Sequence, residues 1–205
     1  MFALSLAHKR KIYMGSKAVV LVAGMPGSGK SIVTSYLRKK GYKSFSMGDV
    51  VREIADERGV EKTQENMLRI AEEIRSKYGP AGVAALLIER IKDTEPPIVI
   101  DGVRSIHEIK YFGRVWNCIH VVALYSPPWL RFQRIRERNR PGDPMKFEEF
   151  LQRDMKELSF GLGTVLALCD TLIINEGTKR DVEIALEKNM ERIEKCNSES
   201  AWKYL

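Results

Sequence analysis

Cysteine and histidine are scarce in this chain, with three of each in 205 residues. Cys118, Cys169 and Cys196 are widely spaced and form no metal-binding or redox pattern, and His8, His107 and His120 are as scattered. No zinc site is expected, and an odd, scattered set of cysteines reads as reduced thiols in a cytoplasmic protein. No apolar run is long enough to span a membrane. The opening MFALSLAHKRKIYMGSK is apolar only briefly, with its basic cluster after the apolar residues. That reverses the order of a secretory signal, so residues 1–16 read as an N-terminal extension. Repeats, low-complexity tracts and convincing linkers are absent too, and residues 17–205 read as one domain. Acidic excess is also missing. The net charge is +7, so the natural partners are anions, either RNA or phosphates in an arginine-lined cleft.

What is present is alternation. Lys17–Ala23, Tyr42–Ser46, Ile98–Ile100, Cys118–Tyr125 and Thr171–Asn175 read as strands. Helical patterns lie between them, at Lys30–Lys40, Asp49–Arg58, Gln64–Lys77, Ala81–Lys92, Leu130–Arg138, Phe147–Leu158 and Lys179–Lys195. Apolar strands separated by helices predict an α/β fold, three layers α/β/α around a five-stranded parallel sheet. The helical excursion at about 49–95 reads as an insert capping one side of a site.

The stretch Gly24-Met25-Pro26-Gly27-Ser28-Gly29-Lys30-Ser31 follows the first strand and opens the first helix. It satisfies the P-loop pattern in the context that pattern requires. Its glycines let backbone N–H groups curl around phosphates, Lys30 reaches the β/γ oxygens, and the Ser31 hydroxyl ligates Mg²⁺. A nucleoside triphosphate with Mg²⁺ is therefore the expected ligand. Ile98–Ile100 closes on Asp101, the arrangement in which a strand-end carboxylate holds Mg²⁺ directly or through water. No Asn-Lys-x-Asp run, the guanine reader of GTPases, occurs anywhere.

Ser46-Met47-Gly48-Asp49-Val50-Val51-Arg52 resembles the Ser-Thr-Gly-Asp-Met-Leu-Arg segment of adenylate kinases, and Asp101-Gly102-Val103-Arg104 their Asp-Gly-Phe-Pro-Arg. Arg134–Arg138 resembles their paired-arginine helix leading into the lid, and Gly177-Thr178-Lys179 their loop over the adenine. "RDMKEL", "ALCDTLIINEG" and a short lid at about 136–147 are closer to dephospho-CoA kinases, and closest to an archaeal family of adenylate-kinase-related P-loop proteins.

The resemblance implies a nucleotide kinase passing the ATP γ-phosphoryl to a small phosphorylated acceptor, a nucleoside monophosphate such as AMP or dephospho-CoA. It implies that Arg52 and Arg104 grip the acceptor phosphate, and that Asp49 joins Asp101 around Mg²⁺. Arg134 and Arg138 would close on the ATP phosphates, with Arg134 also stacking on adenine beside Gly177 and Thr178. Arg140 and Arg153 fall near positions that clamp the transferring group. The strands before Arg52 and Arg104 are both expected to flank the P-loop strand.

Two readings stay open. Five arginines between Arg131 and Arg140 suit nucleotide phosphates, a solvated helix face or an RNA-binding patch. By spacing, Arg131, Arg134 and Arg138 share one helix face and Arg136 lies elsewhere. Arg134 and Arg138 are expected to serve nucleotide phosphates, with Arg131 and Arg136 solvated. An adenylate-kinase-like ATPase acting as an RNA or ribosome-assembly factor is the alternative function. Glu108 stands about where adenylate kinases carry a base-reading glutamine, so it is either an acceptor contact or a surface residue, and Met47 replaces a threonine near that base. The pattern fixes no oligomeric state.

Overall fold

The structure, a computed structural model, describes residues 18–140, 142–195 and 200–204. The N-terminal extension expected over 1–16 lies outside the described residues, as do Lys17, Cys196 and Pro141 of the short lid. Strands β1 (Val19–Gly24), β2 (Lys43–Ser46), β3 (Ile98–Val103), β4 (Ile119–Tyr125) and β5 (Thr171–Ile174) form one parallel sheet. Their order is β2-β3-β1-β4-β5.

β1 has no polar residue and no exposed one, because it sits at the sheet centre and is covered on both faces. Its side chains alternate between two cores. Val20 and Val22 join the cluster formed with α1 (Lys30–Lys39) and α9 (Lys179–Glu194). Val19, Leu21 and Ala23 join the cluster on the other face. There α2 (Met47–Glu57), α3 (Gln64–Tyr78), α4 (Gly82–Ile91), α5 (Ile106–Gly113) and α8 (Leu162–Ala167) supply the cover. The result is the three-layer α/β/α architecture. The helical insert α2–α4 buries its apolar faces in the sheet's own core. Helices α6 (Pro128–Arg138) and α7 (Phe147–Ser159) pack on each other through Phe132, Phe147 and Phe150, with ring centroids 5.3–5.6 Å apart. The chain between them, where a lid was expected, forms no helix or strand among its described residues.

Several expectations are corrected. β3 does not stop at Ile100 but runs to Val103, with a register shift against β1 between Val22 and Ala23. Gly102 absorbs the extra residue at φ +89°, a conformation costly for any side chain. Only β3 and β4 flank β1, so β2, which leads to Arg52, is an edge strand. Helices α5 and α8 escaped the pattern because they are 8 and 6 residues long, too short for a clear period. Cys118 is disulfide-bonded, so the expectation of three reduced thiols fails. Spacing along the chain does not report which thiols the fold brings together. Cys169 is a free thiol. Among the described residues no helix is long and apolar enough to cross a membrane.

Leu21 lies at the sheet centre with no exposed surface. Leu21→Ala is expected to cost about 2–5 kcal/mol, through lost burial plus the cavity left behind. Urea denaturation checks this; a loss below about 1 kcal/mol would contradict the packing described.

Candidate active site

In this strand order the chain crosses over at β1, and the carboxyl ends of the strands open on one crevice, the position where open parallel sheets bind ligands. Each strand delivers something there. β1 ends in the P-loop, β2 leads to Asp49 and Arg52, and β3 carries Asp101 and leads to Arg104. β4 is followed by Ser126 and β5 by Asn175.

The P-loop is held from outside by side chains. Arg131 donates to the Pro26 carbonyl at 3.2 Å, and Asn175 donates through Nδ2 to the Ser28 carbonyl at 2.9 Å. Gly27 sits at φ +82° against the Arg131 backbone, and a Cβ there would meet the Arg131 carbonyl oxygen at 2.8 Å. With these carbonyls tied outward, the N–H groups of the curl are left to its concave side, where an anion binds. Ser28 is buried, and its Oγ has no partner among the described residues. Lys30 Nζ donates to the carbonyls of Gly24 at 2.7 Å and Met25 at 3.2 Å, so its ammonium is folded over the loop mouth. Burial pushes its pKa down, against the opposing pull of Asp101 and Glu157.

Asp101 is half-buried. Burial raises its pKa, while Lys30 and Arg104 pull the other way, and its Oδ1 has no partner among the described residues. An orphaned, buried carboxylate oxygen suits a cation. No group of three His, Cys, Asp or Glu residues able to hold a metal occurs among the described residues, so an ion here would need phosphate oxygens as well. Ser31 is exposed at the start of α1, consistent with the expected ligand set. Asp49 is engaged in an ion pair with Arg52, and both are exposed at the start of α2.

Residues 20–156 match a family described as "AAA domain". A "UPF0200 protein" of Hyperthermus butylicus is 43% identical over 178 residues, covering 86% of this chain and 95% of that protein. One from Staphylothermus marinus is 44% identical over 187 residues, covering 89% and 98%. The chain belongs to the UPF0200 family. Three solved structures share its fold at much lower identity. TT1252 from Thermus thermophilus has a TM-score of 0.61 at 19% identity, covering 86% of this chain and 98% of that one. Shikimate kinase from Bacteroides thetaiotaomicron has 0.54 at 16%, with the same coverage. Dephospho-CoA kinase from Campylobacter jejuni has 0.50 at 18%, covering 87% and 98%. The fold is that of P-loop kinases.

In this UPF0200 chain the arginines are less free than their spacing suggests. Arg134 donates to Ser126 Oγ at 3.0 Å and to the Asn175 carbonyl at 3.2 Å, which places it beside Gly177 and Thr178 at the start of α9. Arg138 forms a two-pronged pair with Asp143 at 2.7 and 2.8 Å, and Arg153 reaches the same carboxylate at 3.3 Å. Arg140 meets Asp143 through its backbone N–H at 3.1 Å. Arg104 grips Glu157 through Nε at 2.5 Å and Nη2 at 3.4 Å.

Three expectations fail here. Arg131 is not solvated: it is 3% exposed, bound to both oxygens of Asp154 at 2.9 and 2.5 Å, with its guanidinium over the Phe150 ring. It faces inward because helical spacing puts it on the face shared with Arg134 and Arg138. Glu108 is fully buried, accepting from Arg75 at 3.0 Å and from the Arg104 backbone N–H at 2.7 Å. It clamps the start of α5 and presents no carboxylate edge to an acceptor. Met47 is fully buried as well.

The residues missed from the sequence are the counter-charges: Asp143, Asp154 and Glu157. The last two lie on α7 in line with buried Phe150, at i, i+4 and i+7, so each carboxylate occupies a core-facing position. A charged residue in register with an apolar stripe was the available signal. Burial pushes the Glu157 carboxyl up, but Arg104 outweighs this, with help from Lys30 and Arg153, and holds it below the ordinary range. An acid with a depressed folded pKa adds stability above its unfolded pKa, and that stability is lost as pH falls through the folded value. The melting temperature of the wild type should therefore fall more steeply on acidification below pH ~4.3 than that of Glu157→Gln. Parallel curves would remove the Arg104–Glu157 pair from the account.

Proposed function

We propose that this protein is an ATP-dependent nucleotide kinase that transfers the γ-phosphoryl group of ATP to a small phosphorylated acceptor, a nucleoside monophosphate first and dephospho-CoA second. The observation that carries the reading is the set of cations around one P-loop mouth. Lys30 lies over the loop carbonyls, Arg104 grips Glu157, and Arg138 and Arg153 share Asp143. Phosphoryl transfer asks little covalent chemistry of a protein. Positioning and charge neutralisation supply most of the rate.

Lys30 would exchange its two carbonyl contacts for the β/γ oxygens of ATP. Arg134, next to Gly177 and Thr178, would cover the adenine. Arg138 and Arg153 would turn from Asp143 onto the transferring group, and Arg52 and Arg104 would hold the acceptor phosphate. The acceptor oxygen bonds to the γ-phosphorus as the bond to the bridging oxygen breaks, releasing ADP. A monophosphate oxygen attacks as the anion with no proton to lose, whereas a hydroxyl, the acceptor in dephospho-CoA, gives up its proton. Ser31 and Asp101 would hold Mg²⁺, with Asp49 joining if it leaves Arg52. When bound, that ion neutralises phosphate charge and orients the β and γ oxygens.

The RNA-factor reading loses support. It needs the basic helix around Arg131 as an outward patch, and Arg131 is committed to Asp154 and the P-loop. Arg136, Arg138 and Arg140 are exposed, but Arg138 is paired with Asp143 and Arg136 lies over the Phe132 ring.

Two variants test the reading. Lys30→Ala should weaken ATP-Mg²⁺ binding by at least about tenfold, with the fold retained, since the hydrogen bonds of this ammonium go to two loop carbonyls and not into the core. Unchanged affinity by calorimetry would contradict the P-loop role. Arg52 is exposed and its ion-pair partner is Asp49, so Arg52→Ala leaves no buried charge unpaired. A lost charge-assisted contact of about 1.5–3 kcal/mol should raise the acceptor KM by about one to two decades. ATP affinity should stay near the wild-type value. An unchanged KM would exclude Arg52 from the acceptor site.

A further inference from the structure

Met47 and Glu108, the positions expected to face an acceptor's base, are both fully buried. The body of the acceptor must therefore lie elsewhere. Beside the arginine cluster an open groove runs between the first turns of α3, residues 142–144 and the outer side of α7. Leu68, Pro144, Leu151 and Met155 make it largely apolar, and Leu151 and Met155 remain 40% and 65% exposed. Gln64 and Gln152 line its walls. A Cβ on Gly142 would lie 3.4 Å from the Gln64 nitrogen, so the segment after α6 seats directly on the start of α3.

The groove meets the arginine cluster at Arg153 and Asp143, which both line it. Arg153 and Arg138 donate to the same Asp143 carboxylate. Two of the groove's three acids are engaged: Asp143 accepts from Arg138 and Arg153, and Glu149 accepts from the backbone N–H groups of Met145 and Lys146. The third, Glu65, is exposed at the start of α3, at the end of the groove wall that α3 supplies.

We propose that this groove holds the body of the acceptor, and that the body is a flat, apolar group with an amide-like edge, of nucleobase type. The inference rests on the kinase reading above. A thioether and leucine side chains suit the face of such a ring, and each glutamine amide offers both donors and an acceptor to its edge. A bare sugar phosphate would leave the apolar floor in water, with nothing gained from its burial.

Calorimetry with AMP, GMP, CMP and UMP against ribose 5-phosphate tests this, because the last has a phosphate and ribose but no base. At least one nucleotide should bind about tenfold or more tightly than ribose 5-phosphate. In Leu151→Glu and Met155→Glu that preference should collapse, while affinities for ATP and for ribose 5-phosphate hold. Nucleotides that bind no more tightly than ribose 5-phosphate, or a preference that survives both substitutions, would overturn the groove assignment. If the variants still phosphorylate the preferred nucleotide with wild-type KM, the kinase stands and the groove falls. If ATP binds but no phosphorylated compound is bound or converted, the kinase reading falls and the groove assignment with it.

Discussion

The shape of the P-loop depends on a buried ion pair that is not part of it. Arg131 reaches from α6 to the Pro26 carbonyl and the Ser126 carbonyl, and Asp154 on α7 holds both arms of its guanidinium. Such a pair adds little net stability over an apolar replacement, because both charges had to leave water. Its value here is directional. A planar fork fixed at several points sets where the loop's carbonyls go, which a compact ammonium could not do.

The same helix ties the remaining groups together. Phe150 packs α7 on α6, Arg153 reaches Asp143, and Glu157 takes Arg104. The P-loop, Arg104 and the segment between α6 and α7 therefore share one rigid support. Each cation in the site has an internal acceptor in this structure: loop carbonyls for Lys30, Asp49 for Arg52, Asp143 for Arg138 and Glu157 for Arg104. An incoming phosphate must offer more than these partners do. Triphosphate oxygens concentrate several charges within one loop, and can; a stray monoanion competes less well.

Much of this was legible in the sequence because local chemistry dictated it. The P-loop announces itself by glycines, lysine and serine between a strand and a helix, and β1 by a run of apolar residues that only a strand covered on both faces tolerates. Asp101 at a strand end was legible for the same reason, although the bulge at Gly102 was not, since register is a property of two strands. What stayed hidden was pairing across the fold. Nothing near Arg131 announces Asp154, and nothing near Arg104 announces Glu157. These contacts join residues 23 and 53 positions apart. Glu108 misled for the converse reason: its place in a familiar segment suggested a ligand contact, and Arg75 from α3 claimed it instead.

The central claim is that these cations serve transfer of a phosphoryl group to a second molecule rather than to water. The most direct measurement follows the label from γ-³²P-ATP in the presence of Mg²⁺ and a mixture of nucleoside monophosphates and dephospho-CoA. The account predicts that label leaves ATP and appears in one newly phosphorylated acceptor. Label appearing only as inorganic phosphate, at a rate no acceptor changes, would contradict it.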